Sequence, residues 1–120
     1  MSNSDIVMSF IHAWNTMEWD AAADLLTDDI VWDNVPMPTI EGKAAVDAAM
    51  RGMAPEAVDW VVLSIAENGN KVLTERIDNF DMPGGKRIEL PVMGTFVITA
   101  GKISLWRDYF DLASFTSQMA

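Results

Sequence analysis

Val58-Asp59-Trp60-Val61-Val62-Leu63-Ser64-Ile65-Ala66-Glu67, then Asn68-Gly69-Asn70, then Lys71-Val72-Leu73-Thr74-Glu75-Arg76-Ile77-Asp78-Asn79-Phe80 is the stretch that decides the fold. Two runs rich in β-branched and aromatic residues flank a tripeptide of Asn and Gly, which tolerate positive φ, and that is a hairpin signal. Pro83-Gly84-Gly85 makes the next turn, into a strand predicted over Lys86–Thr99, and Ala100-Gly101 makes another into a strand over 102–110. Upstream the period becomes helical. Ile6, Val7, Phe10, Ile11, Trp14 and Met17 share one helical face behind Ser4 as N-cap. Residues 18–26 read as a second short helix, and 30–34 as a brief strand stopped by Pro36 and Pro38. An Ala-rich third helix is expected over 42–53, and a closing helical turn over Leu112–Met119. Helices first and long hairpins afterwards mean one α+β domain over residues 1–120, with helices on one side of an antiparallel-rich sheet.

Half of the 120 residues are hydrophobic, including five Trp, five Phe and nine Met, so the core is large for the length. Eight basic against 18 acidic residues give a net charge of −10, which repels phosphate backbones and anionic membranes. Nucleic acid and membranes are thereby excluded as expected partners, and a neutral or cationic small ligand fits. Without cysteine there is no disulfide, thiolate nucleophile or thiolate metal site. The only histidine, His12, falls on the polar face of the first helix as a solvated residue. Nucleophile–His chemistry and most metal constellations drop out, and neither metal nor cofactor is expected. No run reaches the roughly 18 apolar residues of a membrane span. Met1-Ser2-Asn3-Ser4-Asp5 lacks a basic region and a cleavable apolar run, so cytoplasmic location is the expectation.

Alternation along a strand brings Arg76 and Asp78 out on the same face. In Trp106-Arg107-Asp108-Tyr109-Phe110-Asp111, Asp108 shares its face with Trp106 and Phe110, while Ile103 and Leu105 are expected opposite. Charges facing an apolar interior cost several kcal/mol each, roughly, when unpaired, so this set needs partners or a chemical task. With both carboxylates ionised it carries a net charge of −1 (two anions, one cation); with one proton it is neutral. The expectation is one proton at neutral pH, on Asp78, leaving Asp108 as the base. A purely structural ion network is the alternative, but burying such a triad is a poor route to stability. Arg107 and Tyr109 point to the other face, Arg107 toward an interface, and Asp111 ends the strand as a turn or cap residue. In Lys86–Thr99, Ile88, Leu90, Val92, Phe96 and Ile98 oppose Met93 and Val97. A sheet apolar on both faces needs two covers; helices supply one and a second copy of the chain the other, so a homodimer is expected.

The order helix, helix, short strand, helix and four long strands resembles the cone-shaped fold of the nuclear-transport-factor-2-like superfamily. Asn34-Val35-Pro36-Met37-Pro38, Thr74-Glu75-Arg76-Ile77-Asp78 and the run Gly101-Lys102-Ile103-Ser104-Leu105-Trp106-Arg107-Asp108-Tyr109-Phe110-Asp111-Leu112 resemble, in that order, the limonene-1,2-epoxide hydrolase family. The resemblance implies a curved, mixed sheet enclosing an apolar pocket, and opening of an epoxide by water to a vicinal diol with no covalent intermediate. It implies Asp108 as general base, Asp78 as general acid, Arg76 as the bridge between them, and Asn34 as one of two residues holding the water. At the second water position the family ordinarily has Tyr, and this chain has Trp32, whose indole can donate a hydrogen bond but not accept one. Parity and the family pattern together nominate Ile11, Trp14, Met53, Phe80, Leu90, Val92, Phe110 and Phe115 as the substrate wall. Small apolar epoxide and water are the implied partners. The rivals are a ketosteroid-isomerase-like or polyketide-cyclase-like enzyme on the same fold, and a non-catalytic binding module. An isomerase needs an oxyanion donor such as Tyr facing its Asp, and Tyr109 faces away. An α/β-type epoxide hydrolase is excluded by length and by the lack of strand–helix alternation.

Overall fold

The computed structural model describes residues 1–120. Helix α1 (Asn3–Asn15) is followed by α2 (Trp19–Asp24), β1 (Leu26–Val35), β2 (Ile40–Glu41), α3 (Lys43–Gly52), β3 (Ala57–Asn68), β4 (Lys71–Met82), β5 (Lys86–Thr99), β6 (Lys102–Tyr109) and α4 (Leu112–Met119). The six strands form one curved sheet in the order β2-β1-β6-β5-β4-β3. Only the β1–β6 pairing is parallel, so the sheet is mixed and mostly antiparallel, as expected. No helix is long and apolar enough to cross a membrane.

Helix α1 lies in the concavity of the sheet. Its N-cap is Ser2 rather than Ser4: Asp5 N donates to Ser2 Oγ at 3.1 Å and Ser2 N donates to Asp5 Oδ2 at 3.0 Å, a closed capping box. Both serines satisfy the N-cap preference, but only Ser2 has an acidic residue three positions on to reciprocate. Ile6, Val7, Phe10, Ile11 and Trp14 are buried on one face, and His12 is exposed. Asn15 pins the end of α1 to β3 by mimicking a strand: its Nδ2 donates to Trp60 O at 3.2 Å, and its Oδ1 accepts from Trp60 N at 2.7 Å.

Two boundaries differ from the sequence reading. The second helix stops at Asp24, and the first strand starts at Leu26, because the β1–β6 ladder recruits Leu26 opposite Ile103. The two-residue strand β2 carries too little pattern to be read from sequence. Ile103 also differs: it is fully buried on the same side as Trp106. Ser104 is an extra residue between the pairs Ile98↔Ile103 and Val97↔Leu105, and this bulge resets the alternation that would have turned Ile103 outward. A second bulge at Leu63 divides β3 in the same way. Both sharpen the sheet's curl around α1.

Candidate active site

Three in-register rows build the site. Arg76 pairs with Val92 across β4–β5, and Asp78 with Leu90. Asn34 stands beside Asp108 across the parallel β1–β6 ladder, and Asp108 faces Gly94 across β6–β5. Gly94 in turn faces Thr74. The Arg76 guanidinium therefore reaches from β4 to β6 across the one position in β5 that has no side chain. A Cβ built on Gly94 would fall 2.5 Å from Asp108 Oδ1, closer still to Arg76 Nη1, and 3.1 Å from Thr74 Oγ1. Here glycine is required by close approach and not by backbone conformation.

Arg76 grips Asp78 with two parallel bonds, Nε to Oδ1 at 3.0 Å and Nη2 to Oδ2 at 2.8 Å. The same Nη2 donates to Asp108 Oδ2 at 3.0 Å, so one nitrogen bridges the two carboxyls. Nη1 donates to Thr74 Oγ1 at 3.0 Å, which fixes the plane of the guanidinium. Its faces are dressed by Trp60, 5.0 Å from the ring centroid, and Phe96, at 5.9 Å. Asp108 Oδ2 takes a second bond, from Trp106 Nε1 at 2.9 Å, whereas its Oδ1 is buried and accepts none from the protein. Asp78 and Asp108 are each 4 % exposed and Arg76 not at all.

Burial pushes Asp78 up to about 6; the Arg76 hydrogen bonds and charge pull against this, and the Asp108 charge adds to it. Burial works against the Arg76 cation, but the Asp108 charge and the bonds to Asp78 outweigh it and hold Arg76 above its ordinary range. The upward direction for Asp78 is the expected one. The bidentate grip of Arg76 is what favours the anion.

The two carboxyls open onto a cavity of about 240 Å³. Thirteen of its 16 lining residues are hydrophobic, and the three others are Asn34, Asp78 and Asp108. Trp14, Met53, Phe80, Leu90, Val92, Phe110 and Phe115, expected as wall residues, line it, and so does Trp32 from the expected water site. Ile11 does not: it is buried in the core about one turn before Trp14 on the same face of α1. Arg76 lies behind the carboxyls, off the cavity surface. Trp60, Trp106, Met37, Ile40 and Ala49 also line the cavity, beyond the wall expected from sequence. Trp60 was hidden by the Leu63 bulge. Counting back from Asn68↔Lys71 sets Val61 against Asp78, but the extra residue moves Trp60 there. Arg107 pairs with Asp33 at 2.8 Å on the other face, and Tyr109 is half exposed there. Asp111 caps α4, its Oδ1 accepting from Ala113 N at 3.0 Å.

Over residues 1–120 the chain matches the limonene-1,2-epoxide hydrolase catalytic domain. The chain belongs to the limonene-1,2-epoxide hydrolase family. It is an epoxide hydrolase of that type. It is 34% identical over 107 residues to epoxide hydrolase EphG of Mycobacterium tuberculosis, a match covering 88% of this chain and 71% of that one. The solved structure of an M. tuberculosis epoxide hydrolase of the same type superposes with a TM-score of 0.85 at 31% identity, over 95% of this chain and 86% of that one. An NTF2-like protein of Cytophaga hutchinsonii superposes with a TM-score of 0.81 at 28% identity, over 97% and 96% of the two chains. The hydrolase thus has the NTF2-like architecture that its element order suggested.

Proposed function

We propose that this hydrolase adds water to a small, uncharged, apolar epoxide in one step, giving a vicinal diol without a covalent enzyme intermediate. Asp108 takes a proton from a water held by Asn34, the water oxygen attacks one epoxide carbon, and the carbon–oxygen bond breaks as Asp78 protonates the leaving oxygen. The single observation that carries this reading is the Arg76 Nη2 bridge between two buried carboxyls at the wall of an otherwise apolar cavity. One carboxyl gains a proton as the other loses one, so the set's net charge is the same before and after the chemical step. A low-dielectric cavity strongly favours such a neutral exchange. Each positioned proton transfer contributes typically 10²–10⁴-fold. The unpartnered Asp108 Oδ1 supports the base assignment, since it is an acceptor with nothing in the protein to satisfy it. Trp14, Met53, Phe80, Leu90, Val92, Phe110 and Phe115 form the substrate wall in this account. A wall without a cation suits a substrate without an anion.

Incubation with limonene oxide, cyclohexene oxide and styrene oxide tests the reading. Diol from at least one of them is expected; binding without turnover of any would overturn it in favour of a binding module.

We also infer that the hydrolase is a homodimer. The outer face of the sheet carries Val61, Leu63, Leu73, Met93 and Tyr109, all substantially exposed. These apolar side chains share that face with Glu75, and self-association would cover them.

A further inference from the structure

Trp32 and Trp106 are directly paired across the parallel β1–β6 ladder, each two residues before a polar group of the site, Asn34 and Asp108. Their indoles lie flat on one another, with centroids 4.0 Å apart and planes 6° from parallel. On its other ladder Trp106 is paired with Phe96, whose ring is 11° from parallel to it. The edge of Phe10 closes a third side at 5.0 Å. Trp106 is therefore held in one plane by its neighbours, and in that plane its Nε1 donates to Asp108 Oδ2. Trp32 uses its polar atom differently. Its Nε1 is buried and donates to no protein atom, while its ring face meets the Trp106 indole.

We propose that Trp32 is a positioning residue, fixing the Trp106 indole and through it the Asp108 carboxylate, and is not a ligand of the attacking water. This departs from the role that the family pattern gives the position. The chemistry agrees with the departure. A water losing one hydrogen to Asp108 has its other hydrogen to place on an acceptor, and an indole offers none. An N–H aimed at the lone pair that attacks carbon would slow the attack. With the Trp32 ring committed to the stack, Asn34 alone serves that second hydrogen in this account. Base orientation, which a hydroxyl at this position would not secure by stacking, becomes the task of the Trp32–Trp106 pair.

The inference rests on Asp108 acting as the base, and its test is a double-mutant cycle on the hydrolase with a turned-over epoxide. W106F removes the donor to Asp108, and kcat is expected to fall roughly ten- to a hundredfold with KM little changed. W32L removes the flat ring and is expected to fall comparably. The double variant W32L/W106F should be no slower than W106F, because a ring that acts only through the Trp106 N–H has nothing left to act on. W32F keeps a flat ring without an N–H and should lose only several-fold. If the two losses multiply, or if W32F falls as far as W106F, the positioning role is wrong. The W32F against W106F comparison decides even if W32L does not fold. A parent chain that opens no epoxide would instead sink the hydrolase mechanism itself, a different result from any of these.

Discussion

Strands β3 to β6 show two faces built from alternate residues of the same segments, and the two faces invert the usual rule. The inward face buries Arg76, Asp78, Asp108 and Thr74 among aromatic rings. The outward face leaves Leu63 at 56% and Met93 at 51% exposed to solvent. Charges inside and apolar groups outside each cost stability when left alone, so each face needs a partner. The inward set finds its partner within the chain, and in our proposal its remaining capacity serves chemistry. On our reading the outward set finds its partner in a second chain. Surface ion pairs such as Arg87–Asp81 at 2.9 Å have the same chemical groups and similar distances, but both side chains are about half exposed and screened by water. Burial, not pairing, is what sets Arg76, Asp78 and Asp108 apart.

The sharpest way to break this comparison is D78N. An amide keeps the shape and neutrality of the acid but has no proton to give, so kcat should fall 10²- to 10⁴-fold. Circular dichroism and the melting temperature should stay near those of the parent. Retained turnover would return the inward charges to a structural role. G94A comes next. A methyl where Arg76 passes must displace the guanidinium or Asp108, and a misplacement near 1 Å costs roughly a hundredfold in kcat. A fully active G94A would mean the bridge is not held where the reaction needs it.

Over a single pH unit the pH profile gives a smaller effect. Asp78 is raised to about 6, so its acid form is present below that pH and is lost as pH rises through it. For the free enzyme, kcat/KM should decline about tenfold per pH unit above that point. A flat profile from pH 6 to 9 would contradict Asp78 as the acid. On the outward face, L63R should convert a dimer into a monomer in analytical ultracentrifugation, with kcat changed only a few-fold. A parent that sediments as a monomer would remove the second half of the comparison.

How much of this was legible in the sequence follows from where alternation holds. Arg76, Asp78 and Asp108 could be set on the inward face by counting in twos, because no bulge interrupts β4 or the stretch from Trp106 to Asp108. Ile103 and Trp60 lie beyond bulges at Ser104 and Leu63, and there counting points the wrong way. Gly94 was invisible for another reason: its importance lies in an absent side chain, and only the path of Arg76 shows what that space is for. Ile11 shares its helical face with Trp14, but the cavity borders only the last turn of that face, a limit that periodicity does not reveal. The stack of Trp32 on Trp106 depends on the parallel pairing of β1 with β6, a non-local register that no local pattern announces.

Single turnover in oxygen-18 water, with enzyme in excess over epoxide, tests the central claim most directly. Direct attack by water held between Asp108 and Asn34 predicts label in the diol from the first turnover and none in the protein. Unlabelled first-turnover diol, with oxygen-18 appearing in the Asp78 or Asp108 carboxyl, would mean that a carboxylate attacks the epoxide and that the paired acid and base do not act as described.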